Sequence, residues 1–308
     1  MIEYSNVRYL LSKRPIDDRA INREVVSRLR QELALRPSGP SNEARPLRVL
    51  ELGAGVGTMV SRLVDWGVVE RVEYTLVDRD TESLAAAREQ LTEWAGVSSG
   101  SASGAERLRL ERAGAVLDVE FVARDLLAFL AAPEARRRYD LVVANAVLDL
   151  FDLGPTLPVI WKALEPGAAF WFTINFDGET IFLPELPLDE AVMRAYHGTM
   201  TADAAKTRAG HSQTGRRLLE AVPASGARLL AAGSSDWVVF PEAGGYAGDE
   251  GYFLHHIVQT IWTALEGRAE LRQAGFEAWL RERHDQIERG KLCYVAHQLD
   301  VLGRAPLA

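Results

Sequence analysis

Hydrophobic and polar positions along the chain follow two repeat lengths, one typical of strands and one typical of helices. The chain contains five short apolar runs, and the first four are each followed by a segment whose apolar residues lie three or four positions apart. The runs span residues 48–53, 72–78, 119–125, 139–147 and 168–176. Strands that are apolar on both faces and alternate with helices predict a parallel sheet covered by helices on both sides, which is the α/β class.

The pattern differs on either side of this region. Before it, apolar residues four apart predict one amphipathic helix, Asp17 to Leu35, and a Pro- and Ser-rich linker, Arg36 to Pro46. After it, a strand is predicted over 227–240 and a final strand over 292–302. We therefore predict an N-terminal arm, residues 1–46, and a main domain, residues 47–308, with inserted cover segments at about 178–213 and 243–290. The Ser/Gly-rich stretch Val97 to Glu106 is predicted to be an exposed, mobile loop.

Composition narrows the classes of partner. The chain has 308 residues and a formal net charge of -8, so its overall field repels nucleic-acid phosphates and anionic lipid surfaces. Its single cysteine, Cys293, excludes an internal disulfide. No apolar run approaches the length of a membrane-spanning helix, roughly 18 residues. We expect a cytoplasmic protein without nucleic-acid or membrane partners.

Three alternating glycines follow the first predicted strand, in the stretch Glu51-Leu52-Gly53-Ala54-Gly55-Val56-Gly57. Glycine leaves no side chain between the backbone and a ligand, so this turn predicts a close approach to a bound molecule. A dinucleotide site would need G-x-G-x-x-G, and here the third glycine comes one residue early. Asp78 ends the next strand, where a carboxylate can accept two hydrogen bonds from a ribose diol. Glu51 is expected to add negative charge that favours a cationic ligand, a sulfonium or an ammonium.

Taken together, these residues resemble the Rossmann-like, class I methyltransferases that use S-adenosylmethionine. The resemblance is to bacterial members of this class in particular. The similarity runs from about Val49 to Phe176 and includes ELGAGVG, LVD, ARD and YDLVVANAVLD. It implies a doubly wound, mostly parallel seven-stranded sheet whose last strand is antiparallel. It also implies a set of cofactor-binding residues: Glu51, Gly53, Ala54, Gly55 and Gly57 beside the methionine part, Asp78 on the ribose, Arg79, Asp125 and Leu126 near the adenine, and Asn145 on the sulfonium side. Asp125 is equally well explained as the N-cap of a helix over 126–130.

Methyl transfer from a sulfonium is an in-line displacement, so the enzyme mainly aligns the acceptor and excludes water. An acceptor that begins as an alcohol, phenol or ammonium also has to lose a proton. His197 is the first candidate for that base, with Tyr196 beside it and His255 in the second cover segment. Each histidine has an alternative structural reading, as a capping, surface or core residue. Asp149 and Asp152 follow the fourth strand, but no spacing defines a metal site, and we expect none.

The sequence thus predicts a methyltransferase that methylates a small molecule and releases S-adenosylhomocysteine. A protein or peptide methyltransferase and a noncatalytic cofactor-binding module remain alternatives, and the glycine spacing disfavours an NAD-linked oxidoreductase. The arm from Tyr9 to Arg19 is expected to fold over the cofactor as a lid. A homodimer is left open.

Overall fold

The computed structural model describes residues 4–35, 45–96, 106–201 and 210–307. Most of the predicted linker and the predicted mobile loop lie outside the described residues. Nine strands are present: β1 (Leu47–Leu52), β2 (Arg71–Asp78), β3 (Arg107–Arg112), β4 (Ala115–Ala123), β5 (Tyr139–Asn145), β6 (Leu164–Leu183), β7 (Arg228–Ser234), β8 (Trp237–Val239) and β9 (Cys293–Arg304).

Helices precede, connect and follow these strands. They are α1 (Asn6–Ser12), α2 (Arg14–Ala20), α3 (Arg23–Ala34), α4 (Thr58–Asp65), α5 (Thr81–Ala95), α6 (Leu126–Ala131), α7 (Leu153–Ala163), α8 (Asp189–Met200), α9 (Thr214–Ala224), α10 (Glu250–Leu265), α11 (Ala269–Gln273) and α12 (Phe276–Glu288).

All the strands belong to one sheet, in the order β3-β4-β2-β1-β5-β6-β9-β7, with β8 paired to β9. The pairs β4-β2, β2-β1, β1-β5 and β5-β6 are parallel, whereas β9 runs antiparallel to both β6 and β7. The predicted α/β fold and the antiparallel last strand are therefore confirmed. The strand number is nine rather than seven, because β3 adds an antiparallel edge strand beside β4 and β8 adds a short strand beside β9.

The apolar strands are buried on both faces, as their composition predicts. Val49, Leu50 and Leu52 of β1 are fully buried, and helices on the two sides of the sheet complete two large hydrophobic clusters. The carboxyl ends of β1, β2, β4, β5 and β6 consequently open onto one edge of the sheet, where ligands bind in open parallel sheets.

The predicted single helix over 17–35 is two helices. The backbone is extended at Ile21 and Asn22, and the Asn22 side chain caps α3 by accepting hydrogen bonds from the amides of Glu24 and Val25. The Asn22 amide itself donates to the buried carboxylate of Asp300 in β9, at 2.8 Å. This long-range contact fixes the break between α2 and α3. The spacing of apolar residues along the sequence does not predict such a contact.

The arm is packed into the main core. Val25, Val26 and Leu29 of α3 are almost completely buried in the larger hydrophobic cluster, and α3 contacts β6, β7 and β9. Residue 46 therefore divides the sequence into two segments, but the arm and the main domain share one hydrophobic core.

The first cover segment is more regular than its polar composition indicated, whereas the second is helical as its apolar spacing predicts. β6 continues to Leu183 and α8 follows it, so most of the first segment is ordered structure, while residues 202–209 lie outside the described residues. The second segment consists mainly of α10, α11 and α12. The strand predicted over 227–240 is interrupted between Ser234 and Trp237, which divides it into β7 and β8.

Candidate functional site

The glycine turn joins β1 to α4 at the carboxyl edge of the sheet. Gly53, Gly55 and Gly57 all have positive φ angles, of 63°, 52° and 70°. A Cβ at Gly53 would lie 2.6 Å from Cγ2 of Val147, and one at Gly55 would lie 3.0 Å from Cδ1 of Leu10 in α1. Both the backbone conformation and the available space therefore require glycine at these two positions.

Asp78 holds the turn in place from the end of β2. Its Oδ2 accepts a hydrogen bond from the Gly55 amide at 2.8 Å, and its Oδ1 accepts one from the Asp80 amide at 2.9 Å. Each carboxylate oxygen can accept a second bond, so these contacts leave room for a ribose diol. Asp78 as the ribose ligand stays a prediction, and Arg79 follows it on the exposed surface.

Glu51 lies within β1 rather than beside a ligand cleft. Its side chain is 2% exposed, and Oε2 accepts a hydrogen bond from the Tyr74 hydroxyl at 2.8 Å. Burial raises the pKa of Glu51 to about 8, although the Tyr74 hydrogen bond opposes this shift. The prediction that Glu51 supplies negative charge at the turn is therefore wrong, because near neutral pH the protonated form predominates.

Asp125 and Leu126 lie at the carboxyl end of β4, at the start of α6. The Asp125 side chain is exposed and caps α6 by accepting a hydrogen bond from the Ala128 amide at 2.9 Å. The structural alternative is thus confirmed, and contact of Asp125 and buried Leu126 with an adenine ring stays a prediction.

Backbone strain lies directly after β5 and within β6. Ala146 has a φ of 54° and Ile174 a φ of 56°, a region that β-branched residues avoid. Ile174 sits at an irregularity in the β6–β9 pairing, where its amide donates to Oδ1 of Asp300. Between the two strained residues, Oδ1 of Asn145 accepts a hydrogen bond from the Thr173 hydroxyl at 2.8 Å. Strain of this kind accumulates at functional sites, and here it fixes Asn145 at the carboxyl edge.

The arm brings a group of buried charges to Asn145. Asp17 of α2 accepts hydrogen bonds from Lys13 at 2.9 Å, from the Trp237 indole at 2.8 Å and from Asn145 at 3.4 Å. Burial alone would raise the pKa of Asp17, but Lys13 and Arg62 outweigh it, and the pKa lies below the usual range. Sequence reasoning did not identify this group, because its members come from distant segments. The arm lies against the glycine turn as expected, while its motion as a lid stays a prediction.

Tyr196 and His197 lie near the end of α8, with ring centres 6.0 Å apart. Nε2 of His197 is 3.1 Å from the Thr180 hydroxyl, and the Phe176 ring lies 5.2 Å from the imidazole. Burial lowers the pKa of His197, so its neutral form is favoured. A neutral imidazole is the form that can accept a proton from an acceptor.

His255 lies on the side of α10 that faces α12. Its Nδ1 is 2.7 Å from Nδ1 of His284, and the two rings are stacked. Burial and the neighbouring His284 lower the pKa of His255 to about 4. These contacts favour the structural reading of His255, and we leave it out of the proposed acceptor site.

Asp149 and Tyr9 are the residues that sequence reasoning undervalued. Asp149 follows β5 in a short 3₁₀ turn, Leu148–Leu150, and its Oδ1 is buried without a hydrogen-bond partner among the described residues. Tyr9 stacks on His256, with ring centres 4.1 Å apart, and lies near enough to Asp17, Tyr196 and Asp149 for their charges to add to the effect of burial in raising its pKa. The position of Asp149 directly after a strand was the one available signal. Tyr9 falls within the arm that the sequence predicted as a lid, but no signal singled it out as an acceptor-site residue.

These features fit the cofactor that the resemblance implies. The turn presents bare backbone at Gly53 and Gly55, Asp78 and Asp125 stand at neighbouring strand ends, and Oδ1 of the partly exposed Asp149 is buried without a hydrogen-bond partner among the described residues. Bound there, S-adenosylmethionine would supply an electrophilic methyl group. Across the described ranges, no group of three or more His, Cys, Asp or Glu side chains is arranged to hold a metal ion. None of the described helices is long and apolar enough to cross a membrane.

Comparisons with known proteins give a family match over part of the chain and a set of similar solved structures. Residues 44–175 match a family model described as a methyltransferase domain. No curated protein sequence matches the chain. Among solved structures, a methyltransferase from Thiobacillus denitrificans in complex with S-adenosylhomocysteine is 18% identical, with a TM-score of 0.46 over 93% of this chain and 92% of that chain.

Two further solved structures are similar at the same general level. A methyltransferase from Methanosarcina mazei is 12% identical, with a TM-score of 0.44 over 86% of this chain and 94% of that one. A phosphoethanolamine N-methyltransferase from Haemonchus contortus is 15% identical, with a TM-score of 0.41, and 90% of this chain corresponds to 52% of it. Similarities at this level carry no information about the acceptor.

The family match covers the glycine turn, Asp78, Asp125 and Asn145, the positions at which the resemblance places the cofactor. Residues 44–175 are a methyltransferase domain.

Proposed function

We propose that this methyltransferase transfers its methyl group to a small-molecule acceptor. The proposal rests on one observation: the carboxyl edge of the sheet is enclosed beyond Asn145. Tyr9 and Asp17 of the arm lie above it, and Tyr196 of the first cover segment lies close to Tyr9. The side chain of a folded protein would have to enter beneath three separate elements to reach the same place.

Contacts between the arm and α10 support this reading. Arg8 forms an ion pair with Asp249 at 2.8 Å, Arg19 forms one with Glu250 at 2.6 Å, and the Ser5 amide donates to the Tyr252 hydroxyl at 2.7 Å. They hold α1 and α2 against the second cover segment. An enclosed site excludes water from the transfer, which this chemistry requires.

A half-open groove supplies a route into this region. It has a volume of about 420 Å³, and its lining includes Tyr4, Tyr196 and His256. Because His256 stacks on Tyr9, the groove ends beside the enclosed edge. Its dimensions fall within the usual range of small-molecule pockets. The formal net charge of -8 supports an acceptor other than a nucleic acid.

Within this site, the chain's own residues would align the acceptor and manage its proton. We assign Tyr196 and His197 to the acceptor side, because they lie on the same turn of α8 and Tyr196 lines the groove. His197 would accept a proton through the ring nitrogen that faces Thr180, or hold the acceptor through it. Asn145 would orient the reacting centre from the end of β5.

The test is transfer of label from methyl-labelled S-adenosylmethionine, with the full-length enzyme added to cell extract. The extract is separated by size into small-molecule and protein fractions before the assay, and unreacted S-adenosylmethionine is removed chromatographically from the labelled products before they are counted or analysed further. We expect label in the small-molecule fraction alone, and at least a tenfold loss of label with His197→Ala. Label confined to the protein fraction would establish the protein-methylating alternative, and no label in either fraction, although S-adenosylhomocysteine binds, would indicate a noncatalytic binding module.

A further inference from the structure

The strongest unexplained feature of the site is the Asp149 carboxylate. Oδ1 is buried and lacks a hydrogen-bond partner within the described part of the chain, while the backbone oxygen of Asp149 accepts from the His211 amide at 3.2 Å. An unpaired carboxylate in an enclosed site costs free energy unless a donor completes it. This residue is therefore arranged for a ligand that donates a hydrogen bond.

Among the described residues, no neighbouring charged side chain donates a hydrogen bond to Oδ1 of Asp149. Lys13 is bonded to Asp17, and Arg62 is paired with Asp18 at 2.5 Å. Glu51 is mainly protonated near neutral pH and adds little charge. Both cations are thus engaged by Asp17 and Asp18, and burial raises the pKa of Asp149, so a cationic donor on the ligand is what would keep the Asp149 carboxylate ionised.

Aromatic rings surround the same region. Tyr9 and Tyr294 each lie 5.9 Å from the Phe253 ring, and Tyr196 lines the groove that also contains His256, on which Tyr9 stacks. Phenol rings attract cations through their electron-rich faces, and this attraction is strongest away from water.

We propose that the methyl acceptor is an amine, bound as an ammonium ion between the Asp149 carboxylate and the rings of Tyr9 and Tyr196. The proposal rests on the proposed function and names the acceptor class for the same site. A neutral alcohol or thiol would bring no positive charge to stabilise the ionised carboxylate, and a carboxylic acid would add a negative charge beside it. An ammonium ion satisfies both the carboxylate and the rings.

The same residues account for the proton. The ammonium gives one proton to Asp149, which leaves a lone pair on nitrogen. Nitrogen then forms a bond to the methyl carbon while the methyl–sulfur bond breaks, and that electron pair stays on sulfur as the thioether. The product nitrogen carries the positive charge and Asp149 carries the proton, which passes to solvent when the site opens. Burial raises the pKa of Asp149, which strengthens it as a base.

The test extends the label-transfer assay to the chemical class of the product. The labelled small-molecule fraction is passed over a cation exchanger at neutral pH, and a second portion is treated with mild alkali, which cleaves methyl esters. We expect the label to be retained by the exchanger and stable to alkali. Label that passes through, or that alkali releases, would overturn the amine assignment and leave the proposed function intact, whereas an unlabelled small-molecule fraction would overturn both.

Variants then test the assigned residue. Asp149→Asn should reduce label transfer at least 100-fold while the affinities for S-adenosylmethionine and S-adenosylhomocysteine stay within twofold of the wild type. Asp152→Asn is the matched control, because this exposed carboxylate caps α7 and asparagine caps a helix equally well. A selective loss of affinity for S-adenosylmethionine would place Asp149 beside the sulfonium and overturn the proposal.

Tyr196→Leu removes a ring without adding charge. It should raise KM for the acceptor at least tenfold at unchanged cofactor affinity, and unchanged KM would contradict the proposed ring contact.

Discussion

Glu51 shows that the charge state of a residue depends on how deeply its side chain is buried. Beside the glycines in the sequence it suggests a charged ligand-binding group, yet in the structure it is hydrogen-bonded to Tyr74 inside the sheet and its pKa is raised to about 8. Folding therefore favours the protonated form. The associated stability is fully present below the unfolded pKa of about 4.3 and is lost as pH rises through 8.

We predict that Glu51→Gln removes a pH-dependent part of the free energy of unfolding. Between pH 5 and pH 9 the wild type should lose at least about 1 kcal/mol relative to the variant. Urea unfolding at several pH values measures this difference, and Glu73→Gln, on the exposed side of β2, is the control. Parallel stability curves for Glu51→Gln and the wild type would show that Glu51 ionises normally.

Asp78 is the residue for which sequence and structure agree best. Its carboxylate holds Gly55 and retains acceptor positions on both oxygens. Asp78→Asn should weaken S-adenosylhomocysteine binding by about 1–3 kcal/mol, because a charged acceptor is replaced by a neutral one. Titration calorimetry measures the change, with Asp118→Asn on exposed β4 as the control. Equal affinities for Asp78→Asn and the wild type would remove Asp78 from the ribose site.

The residues that the sequence predicted for the candidate site and those that it did not predict belong to different kinds of element. The glycines, Asp78, Asp125 and Asn145 stand at strand ends, and alternation of strands with helices is enough to bring strand ends together. Tyr9 reaches the site through a helix that packs against α10, more than 240 residues away in the sequence. Apolar spacing predicts that such a helix forms, but it does not predict which partner the helix will contact.

At the scale of elements, α3 is the clearest departure from expectation. Its apolar face completes the main core, since Leu29 is fully buried and α3 packs on the β6–β9–β7 part of the sheet. We predict that Leu29→Ala lowers the free energy of unfolding by about 2–5 kcal/mol, as for other large cavities in a core. Chemical denaturation measures the loss, and Ser27→Ala, on the exposed side of the same helix, should stay within about 0.5 kcal/mol of the wild type.

The outcome for Leu29 also decides how the arm can be studied. A small effect would mean that the arm is loosely attached and can be removed to test its action as a lid. A large effect would mean that deleting residues 1–46 disrupts the core, so a change in cofactor affinity after that deletion would say nothing about a lid. Single substitutions in α1 then become the appropriate test.

For the whole molecule, the arrangement of arm and cover implies that binding and release require movement. Leu10 of α1 lies against Gly55, so a ligand on the glycine turn is covered by the arm. Besides the stacking of Tyr9 on His256, a polar contact attaches α1 to α10: Arg8 pairs with Asp249 and lies over the Tyr252 ring at 3.9 Å. Both members of the ion pair are substantially exposed, so dissolved salt should weaken it.

We predict that Arg8→Ala increases the rate of S-adenosylhomocysteine dissociation severalfold, because the arm then opens more often. Stopped-flow displacement measures this rate. The wild-type rate should rise with salt concentration towards that of the variant, whereas the variant should respond weakly. Arg289→Ala is the control, since this arginine pairs with Glu282 and Asp285 within α12 and joins no arm residue through those bonds. Equal rates for Arg8→Ala and the wild type would show that ligand leaves without opening of α1, and the groove beside Tyr4 and Tyr196 would then be the exit.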